Sequence, residues 1–280
     1  MQIVKHINEL KAILDSKRND GLSIGFVPTM GALHAGHLSL VEIAGQQTDF
    51  VVVSIFVNPT QFNDKADLER YPRDLQKDAD LLSASTCQLI FAPEAIEIYP
   101  VPDTRQFDFG LLEQVMEGKF RPGHFNGVAQ VVSKLFDILQ PDKAFFGQKD
   151  FQQLAIIKEM VRKLNIPVEV VACPIVREAD GLAMSSRNML LTAEQRESAA
   201  LISATLFEAA NKTVEYSVQD LCIWVAKQIN KSEQLNTEYF EIVDGLTLQP
   251  VKSWNDPGVK VGCVAVHCGK IRLIDNIVFR

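Results

Sequence analysis

Cysteine is scarce in this chain. The five residues, at positions 87, 173, 222, 263 and 268, form no C-x-x-C pair and no disulfide framework. Buried reduced thiols are therefore expected, since free cysteine packs as a small apolar residue. Long hydrophobic runs are also missing: none approaches the ~20 residues of a membrane-spanning helix. Met1-Gln2-Ile3-Val4-Lys5-His6 does not lead into a signal-type apolar core either. No membrane partner is expected, and the cytoplasm is the expected compartment. Positive charge is in deficit, with 28 Lys and Arg against 35 Asp and Glu and a net charge of -7. That excludes broad nucleic-acid binding, which needs concentrated basic charge to displace counterions. There is no internal repeat and no low-complexity tract.

What remains is an ordinary globular composition over 280 residues, 47% hydrophobic and 22% charged. Short continuous apolar runs at residues 22–27, 50–57, 88–91, 143–146 and 168–176 read as fully buried strands. Between them lie amphipathic helical stretches, at 126–139 with Val128, Val131, Val132, Leu135, Ile138 and Leu139 on one stripe, and at 150–164. Apolar strands alternating with helices predict an α/β fold: a Rossmann-like, doubly wound parallel sheet with ligands at the carboxyl ends of its strands. The pattern changes near residues 176–188. Thr192-Ala193-Glu194-Gln195 reads as a capping box opening a helix to about Ala210, and Ser217 opens another. Strand-like runs follow at 237–243, 260–267 and 270–278, the last two joined by a turn at Cys268-Gly269. This predicts residues 1–176 as the Rossmann-like domain and 177–280 as a smaller α+β domain with an antiparallel sheet.

The most informative stretch is His34-Ala35-Gly36-His37, which follows an apolar strand and a Pro28-Thr29-Met30-Gly31 turn. Imidazoles at i and i+3 share one helix face, and Gly36 lets a bound group approach the backbone. A helix N-terminus with free N–H groups suits phosphate. Zinc binding or a purely structural pair are the competing readings; no third ligand stands at a recognisable zinc spacing.

Four further clusters accompany it. Asn58-Pro59-Thr60-Gln61 places two amides beside a stiff turn, read either as substrate hydrogen-bonding groups or as turn chemistry. Gly147-Gln148-Lys149-Asp150 joins a buried strand to a helix, with Asp150 as a helix cap and Gln153 one turn on. Met184-Ser185-Ser186-Arg187 offers two hydroxyls and a guanidinium as a phosphate clamp, or else belongs to a linker. Arg121-Pro122-Gly123-His124-Phe125-Asn126-Gly127 supplies a phosphate-supporting arginine, or simply an Asn126 helix cap with loop glycines.

Together these clusters resemble the pantoate–β-alanine ligase family of the nucleotidyltransferase superfamily, which also contains the class I aminoacyl-tRNA synthetases. The resemblance covers most of the first 190 residues. It rests on Pro28-Thr29-Met30-Gly31 with His34-Ala35-Gly36-His37, on Ser54-Ile55-Phe56-Val57-Asn58-Pro59 with Gln61-Phe62, and on Tyr71-Pro72-Arg73. It continues through Arg121-Pro122-Gly123-His124-Phe125, Phe146-Gly147-Gln148-Lys149-Asp150 and the run from Arg177 to Asn188. H-x-G-H alone marks the superfamily; the ordered set is far more specific.

The resemblance implies ATP along Pro28, Met30, Gly31, His34 and His37, along Gly147, Gln148, Lys149 and Asp150, and along Val176, Met184, Ser185, Ser186 and Arg187. His37 matches the family's proton donor, with His34 beside it and Lys149 and Arg187 as further catalytic cations. Gln61 and Gln153 match the pantoate positions, Gln61 also borders the β-alanine site, and Asn58 is grouped with them. The implied reaction adenylates pantoate, then transfers the pantoyl group to β-alanine with release of AMP. Mg²⁺ on the triphosphate, with Asp78 as a ligand, a homodimer and a carboxy-terminal lid complete the expectation. A nucleotidyltransferase acting on a phosphorylated acceptor and a non-catalytic nucleotide sensor are the alternatives.

Overall fold

The computed structural model describes residues 1–61, 68–69 and 71–279. Phe62 of the Gln61-Phe62 pair lies outside them. The elements in chain order are β1 (Gln2–Val4), α1 (Ile7–Asn19), β2 (Ile24–Thr29), α2 (Ala35–Gln47), β3 (Phe50–Ile55), α3 (Leu75–Leu82), β4 (Cys87–Phe91), α4 (Ala95–Ile98), α5 (Met116–Phe120), α6 (His124–Leu139), β5 (Lys143–Gly147), α7 (Phe151–Leu164), β6 (Glu169–Cys173), α8 (Ala193–Ala210), α9 (Val218–Ile229), β7 (Leu235–Asp244), β8 (Lys260–Cys268) and β9 (Ile271–Phe279). The chain divides into two compact units. The first comprises residues 1–109, 121–148 and 153–174; the second comprises 110–120, 149–152 and 175–280. A single boundary at 176 is thus too simple, because two short upstream segments belong with the carboxy-terminal residues.

The first unit is built on a parallel sheet ordered β1-β4-β3-β2-β5-β6. Its strands read as unbroken apolar runs because both faces are covered: Val51, Val52 and Val53 are all fully buried. Phe136 of α6 packs edge-to-face with Phe26 of β2 and Phe146 of β5, at centroid distances of 6.3 and 6.4 Å. The order of strands reverses between β2 and β5, the place where open α/β sheets bind ligands. The ladder between these two strands holds only Gly25–Lys143 and Phe26–Ala144. Pro28, further along β2, has no N–H to extend it. The carboxyl halves of β2 and β5 are therefore not laddered to one another. Pro28–His37 follows one of them and Gly147–Asp150 the other.

In the second unit α8 and α9 pack with an antiparallel sheet ordered β7-β8-β9. Thr192 and Gln195 form the expected reciprocal capping box, and Ser217 caps α9. The β8–β9 turn is Gly269-Lys270, one residue later than the expected Cys268-Gly269, with Gly269 at φ +57°. Glu117 of α5 is buried and receives Arg272 through two bonds of 2.7 and 2.6 Å and the Tyr239 hydroxyl at 2.8 Å. That ion pair anchors the 110–120 segment to the sheet.

Among the described residues no helix is long and apolar enough to cross a membrane. All five cysteines are free thiols, and burial pushes Cys87, Cys173 and Cys222 up to about 11. At pH 8 this leaves roughly one thiolate in a thousand at each of the three, and the thiolate is the reactive form. We predict that the native protein reacts slowly with an aromatic disulfide reagent at pH 8, whereas the guanidinium-unfolded chain titrates all five thiols at once. A rapid burst in the native state would contradict the burial.

Candidate functional site: an imidazole cap and an amide loop

The turn leaving β2 is held from behind. Gly31 and Ala32 adopt left-handed backbone, φ +78° and +51°, and a Cβ at Gly31 would lie 2.9 Å from an Asp78 carboxylate oxygen. Asp78 is buried and accepts from the N–H groups of Ala32 at 3.0 Å and Leu33 at 2.8 Å. Burial raises its pKa, and those two backbone bonds oppose the rise. Asp78, the expected magnesium ligand, thus holds the backbone of this turn through both carboxylate oxygens. Among the described residues no three His, Cys, Asp or Glu side chains cluster as a metal site.

His34 is the N-cap of α2 and His37 is its third residue. The His34 Nδ1 accepts from the Gly36 N–H at 3.1 Å, and the His37 Nδ1 accepts from the His34 N–H at 3.3 Å. The rings lie 4.1 Å apart, tilted by 44°. This is a reciprocal cap made by two imidazoles in place of the usual Ser/Thr and Glu/Gln. An imidazole whose Nδ1 accepts carries its neutral-form proton on Nε2. The sequence reading offered the helix N–H groups to phosphate. The structure narrows that set: the N–H groups of His34 and Gly36 serve the rings and that of His37 bonds the His34 carbonyl.

The amide loop lies beyond β3. Asn58 is buried and fully committed. It donates to the Gln61 side-chain oxygen at 3.2 Å and the Gly127 carbonyl at 3.1 Å, and accepts from the Tyr99 hydroxyl at 2.9 Å and from Thr60. It positions Gln61 and has no capacity left for a substrate, a correction to its grouping with the ligand-binding amides. The Gln61 NH₂ donates to the Met30 sulfur at 2.8 Å; a thioether is a weak acceptor, so this contact orients the amide and leaves a second donor for a ligand.

The Arg121–Gly127 run also supports this loop. The helix begins at His124, two residues before the expected Asn126 cap, after Gly123 at φ +81°. Asn126 instead accepts from the Phe107 N–H and donates to the Arg105 carbonyl. His124 contacts the Gln61 carbonyl through Nδ1 at 2.9 Å and Arg121 through Nε2 at 3.1 Å. A carbonyl only accepts and a guanidinium only donates, so His124 is neutral with its proton on Nδ1. Gly127 lies inside α6, where a Cβ would sit 2.4 Å from the Thr60 carbonyl oxygen and 2.8 Å from the Gln61 Cα. Gly147 differs: a Cβ there meets nothing within 4 Å. Gln153, in the first turn of α7, is half-buried.

Lys149 and Arg187, the other two cations expected from the sequence, belong to the second unit. The Lys149 carbonyl accepts from the Asn276 side chain at 3.0 Å. The stretch from Val176 to Met184 is a closed hairpin and no linker: Arg177 bridges to Ala183, and the Met184 N–H bonds the Val176 carbonyl at 3.0 Å. Ser185 then caps a short 3₁₀ turn, Ser186–Leu190, accepting from the Arg187 N–H at 3.3 Å. Asp78 as backbone cradle, Met30 as a guide for Gln61, the Arg121–His124 support and Asn276 were all missed in the sequence. Only the Arg121–Gly127 run carried a signal.

Comparison with known proteins gives a consistent picture. The family model described as Pantoate-beta-alanine ligase matches residues 2–278. The chain is 54% identical to the pantothenate synthetase of Bacteroides thetaiotaomicron over 280 residues, covering 100% of this chain and 99% of that one. The crystal structure of pantothenate synthetase from Thermus thermophilus is 43% identical, with a TM-score of 0.92 over 99% of both chains. That of pantoate-beta-alanine ligase from Francisella tularensis, complexed with beta-gamma ATP and beta-alanine, is 36% identical with a TM-score of 0.79 over 99% of this chain and 97% of that one.

The two glycines differ in whether packing requires them. Gly127→Ala is predicted to lower unfolding free energy by about 1–3 kcal/mol through overpacking, whereas Gly147→Ala shifts it by less than ~0.5 kcal/mol. Denaturant titration checks both, and equal effects at the two positions would contradict the assignment.

Proposed function

The chain belongs to the pantoate–β-alanine ligase family, and on that premise we propose that it condenses pantoate with β-alanine, driven by ATP, through the residues described above. In the first half-reaction the pantoate carboxylate attacks the α-phosphorus of ATP; the bond to the pyrophosphate oxygen breaks and pantoyl adenylate forms. In the second, the β-alanine amine attacks the acyl carbon and AMP leaves. Adenylation replaces a poor acyl leaving group with a phosphate monoester.

Phosphoryl transfer calls on positioning and charge stabilisation more than on a protein nucleophile. His34 and His37 serve as Nε2–H donors to the triphosphate, with His37 giving a proton as pyrophosphate departs. Lys149 and Arg187 add fixed positive charge, while Ser185 and Ser186 supply hydroxyls. Pro28, Met30 and Gly31, with Gly147, Gln148 and Asp150 and with Val176 and Met184, line the ATP path. The open space at Gly147 supports this role, because protein packing does not require a glycine there.

Magnesium would enter with ATP as part of the substrate and would neutralise charge on the triphosphate. Among the described residues no three His, Cys, Asp or Glu side chains are grouped to hold it on the protein. Gln61 and Gln153 hold the hydroxyls and carboxylate of pantoate, with Gln61 also bordering β-alanine. Amides built to bond hydroxyls reject analogues that lack them. We further read residues 177–280 as a lid that keeps water from the adenylate. The protein is read as a cytoplasmic homodimer.

The observation that carries the reading of the site is the paired imidazole cap at the carboxyl end of β2, the strand bordering the point where the sheet order reverses. His37→Ala is predicted to slow adenylate formation by on the order of 10²–10⁴; rapid-quench single turnovers giving a near-normal rate would refute the assignment. Gln153→Ala is predicted to raise the KM for pantoate at least tenfold more than that for ATP, and equal rises would remove Gln153 from the pantoate site. Pyrophosphate release that needs pantoate but not β-alanine separates this reaction from transfer to a phosphorylated acceptor and from mere nucleotide sensing.

A further inference from the structure

Two adjacent residues of β9 reach both cation-bearing segments of the second unit. The Asn276 side chain donates to the carbonyl of Lys149 at 3.0 Å, across 127 positions of sequence. Asp275 receives the Arg177 guanidinium through a two-pronged contact of 2.6 and 3.0 Å. Its side chain is only 2% exposed. Arg177 spends two further donors within the same construction, on the Gly181 carbonyl at 3.0 Å and the Asn276 carbonyl at 3.3 Å. It also lies 4.8 Å above the Phe207 ring. The bond to Gly181 spans the 176–184 hairpin, and the chain leaving that hairpin is Met184-Ser185-Ser186-Arg187.

Successive strand residues point to opposite faces, so neighbouring positions can serve two different segments. The Asp275 oxygen that takes Arg177 at 3.0 Å also accepts from the Asn276 N–H at 2.8 Å, which ties the two residues together. Burial raises the Asp275 pKa; Arg177 pulls it back, and Lys149 does so more weakly through space. A single buried carboxylate therefore feels cations from both segments. Solubility and core packing do not call for this arrangement, because a buried ion pair rarely stabilises more than an apolar substitute of the same volume. Its value lies in fixing geometry.

We propose that Asp275 and Asn276 form a positioning pair for the adenylation step, Asn276 setting the peptide that carries Lys149 and Asp275, through Arg177, setting the hairpin that delivers Arg187. This rests on the reading of Lys149 and Arg187 as the triphosphate cations. Neither β9 residue touches substrate. Their effect falls on the half-reaction that contains a triphosphate and spares the one that does not.

The test compares the two half-reactions in the full-length protein. Asn276→Ala is expected to slow pantoate-dependent pyrophosphate release tenfold to a hundredfold, the scale expected for ~1 Å misplacement, and to raise the KM for ATP more than that for pantoate. Aminolysis of supplied pantoyl adenylate by β-alanine should stay within about twofold of the parent rate, because the residues that hold the acyl group and the amine are untouched. Asn276→Asp, of equal size but presenting an acceptor to the Lys149 carbonyl, gives the same split and covers a failure of the alanine variant to fold. Adenylation within twofold of the parent, or both half-reactions falling together, would overturn the proposal. Lys149→Ala and Arg187→Ala run alongside: if these leave adenylation intact, the reading of the cations fails, and the pairing with it.

Discussion

The first unit depends on the reciprocal bond pair at the start of α2, in which His34 and His37 each accept a backbone N–H through Nδ1. One contact does three jobs. It satisfies N–H groups that a helix start would leave orphaned, holds both rings within 4.1 Å of each other, and fixes the proton of each neutral ring on Nε2. The preceding turn is pinned by Asp78, so the strand end, the turn and the helix start are joined by bonds that a bound anion need not supply. Preorganisation of this kind lets donors stabilise developing charge without reorganising at the moment of reaction.

The supporting shell follows one logic throughout. Residues suited to touching a ligand are held by residues that have spent all their own polar capacity. Asn58 is exhausted in orienting Gln61. His124 is exhausted between Arg121 and the Gln61 carbonyl, and its tautomer is dictated by those two partners. Gly127 allows α6 to come within contact of the same loop. In the second unit the buried Asp275–Arg177 pair and Asn276 do comparable work for Lys149 and the 176–187 segment. Local geometry is thus over-determined around each group that would meet substrate.

Much of this was legible in the sequence, and the failures have physical causes. Buried parallel strands write themselves as continuous apolar runs, so β2 to β6 were found within a few residues. β1 was not found, because it has three residues at the sheet edge and only Val4 is buried. Thr192 and Ser217 announced their helices through side-chain caps. α6 starts on Gly123, which has no side chain to give a signal, so Asn126 stood out in its place. The H-x-x-H spacing showed that both rings share a helix face, but not that each would turn one nitrogen to the backbone. Asn58 and Asn276 were misread or missed because their partners stand 69 and 127 positions away. The residues proposed to face substrate sit in local motifs; the residues that hold them are recruited from anywhere in the chain.

The donors proposed to meet the triphosphate are the Nε2–H groups of His34 and His37, and not the backbone N–H groups of His34 and Gly36, which the rings already take. A crystal structure with a non-hydrolysable ATP analogue, Mg²⁺ and pantoate tests this most directly. Phosphate oxygens are expected within hydrogen-bonding distance of both Nε2 atoms, with the two Nδ1 bonds to the Gly36 and His34 N–H groups intact. Phosphate oxygens seated on those N–H groups, with the rings swung away, would contradict it.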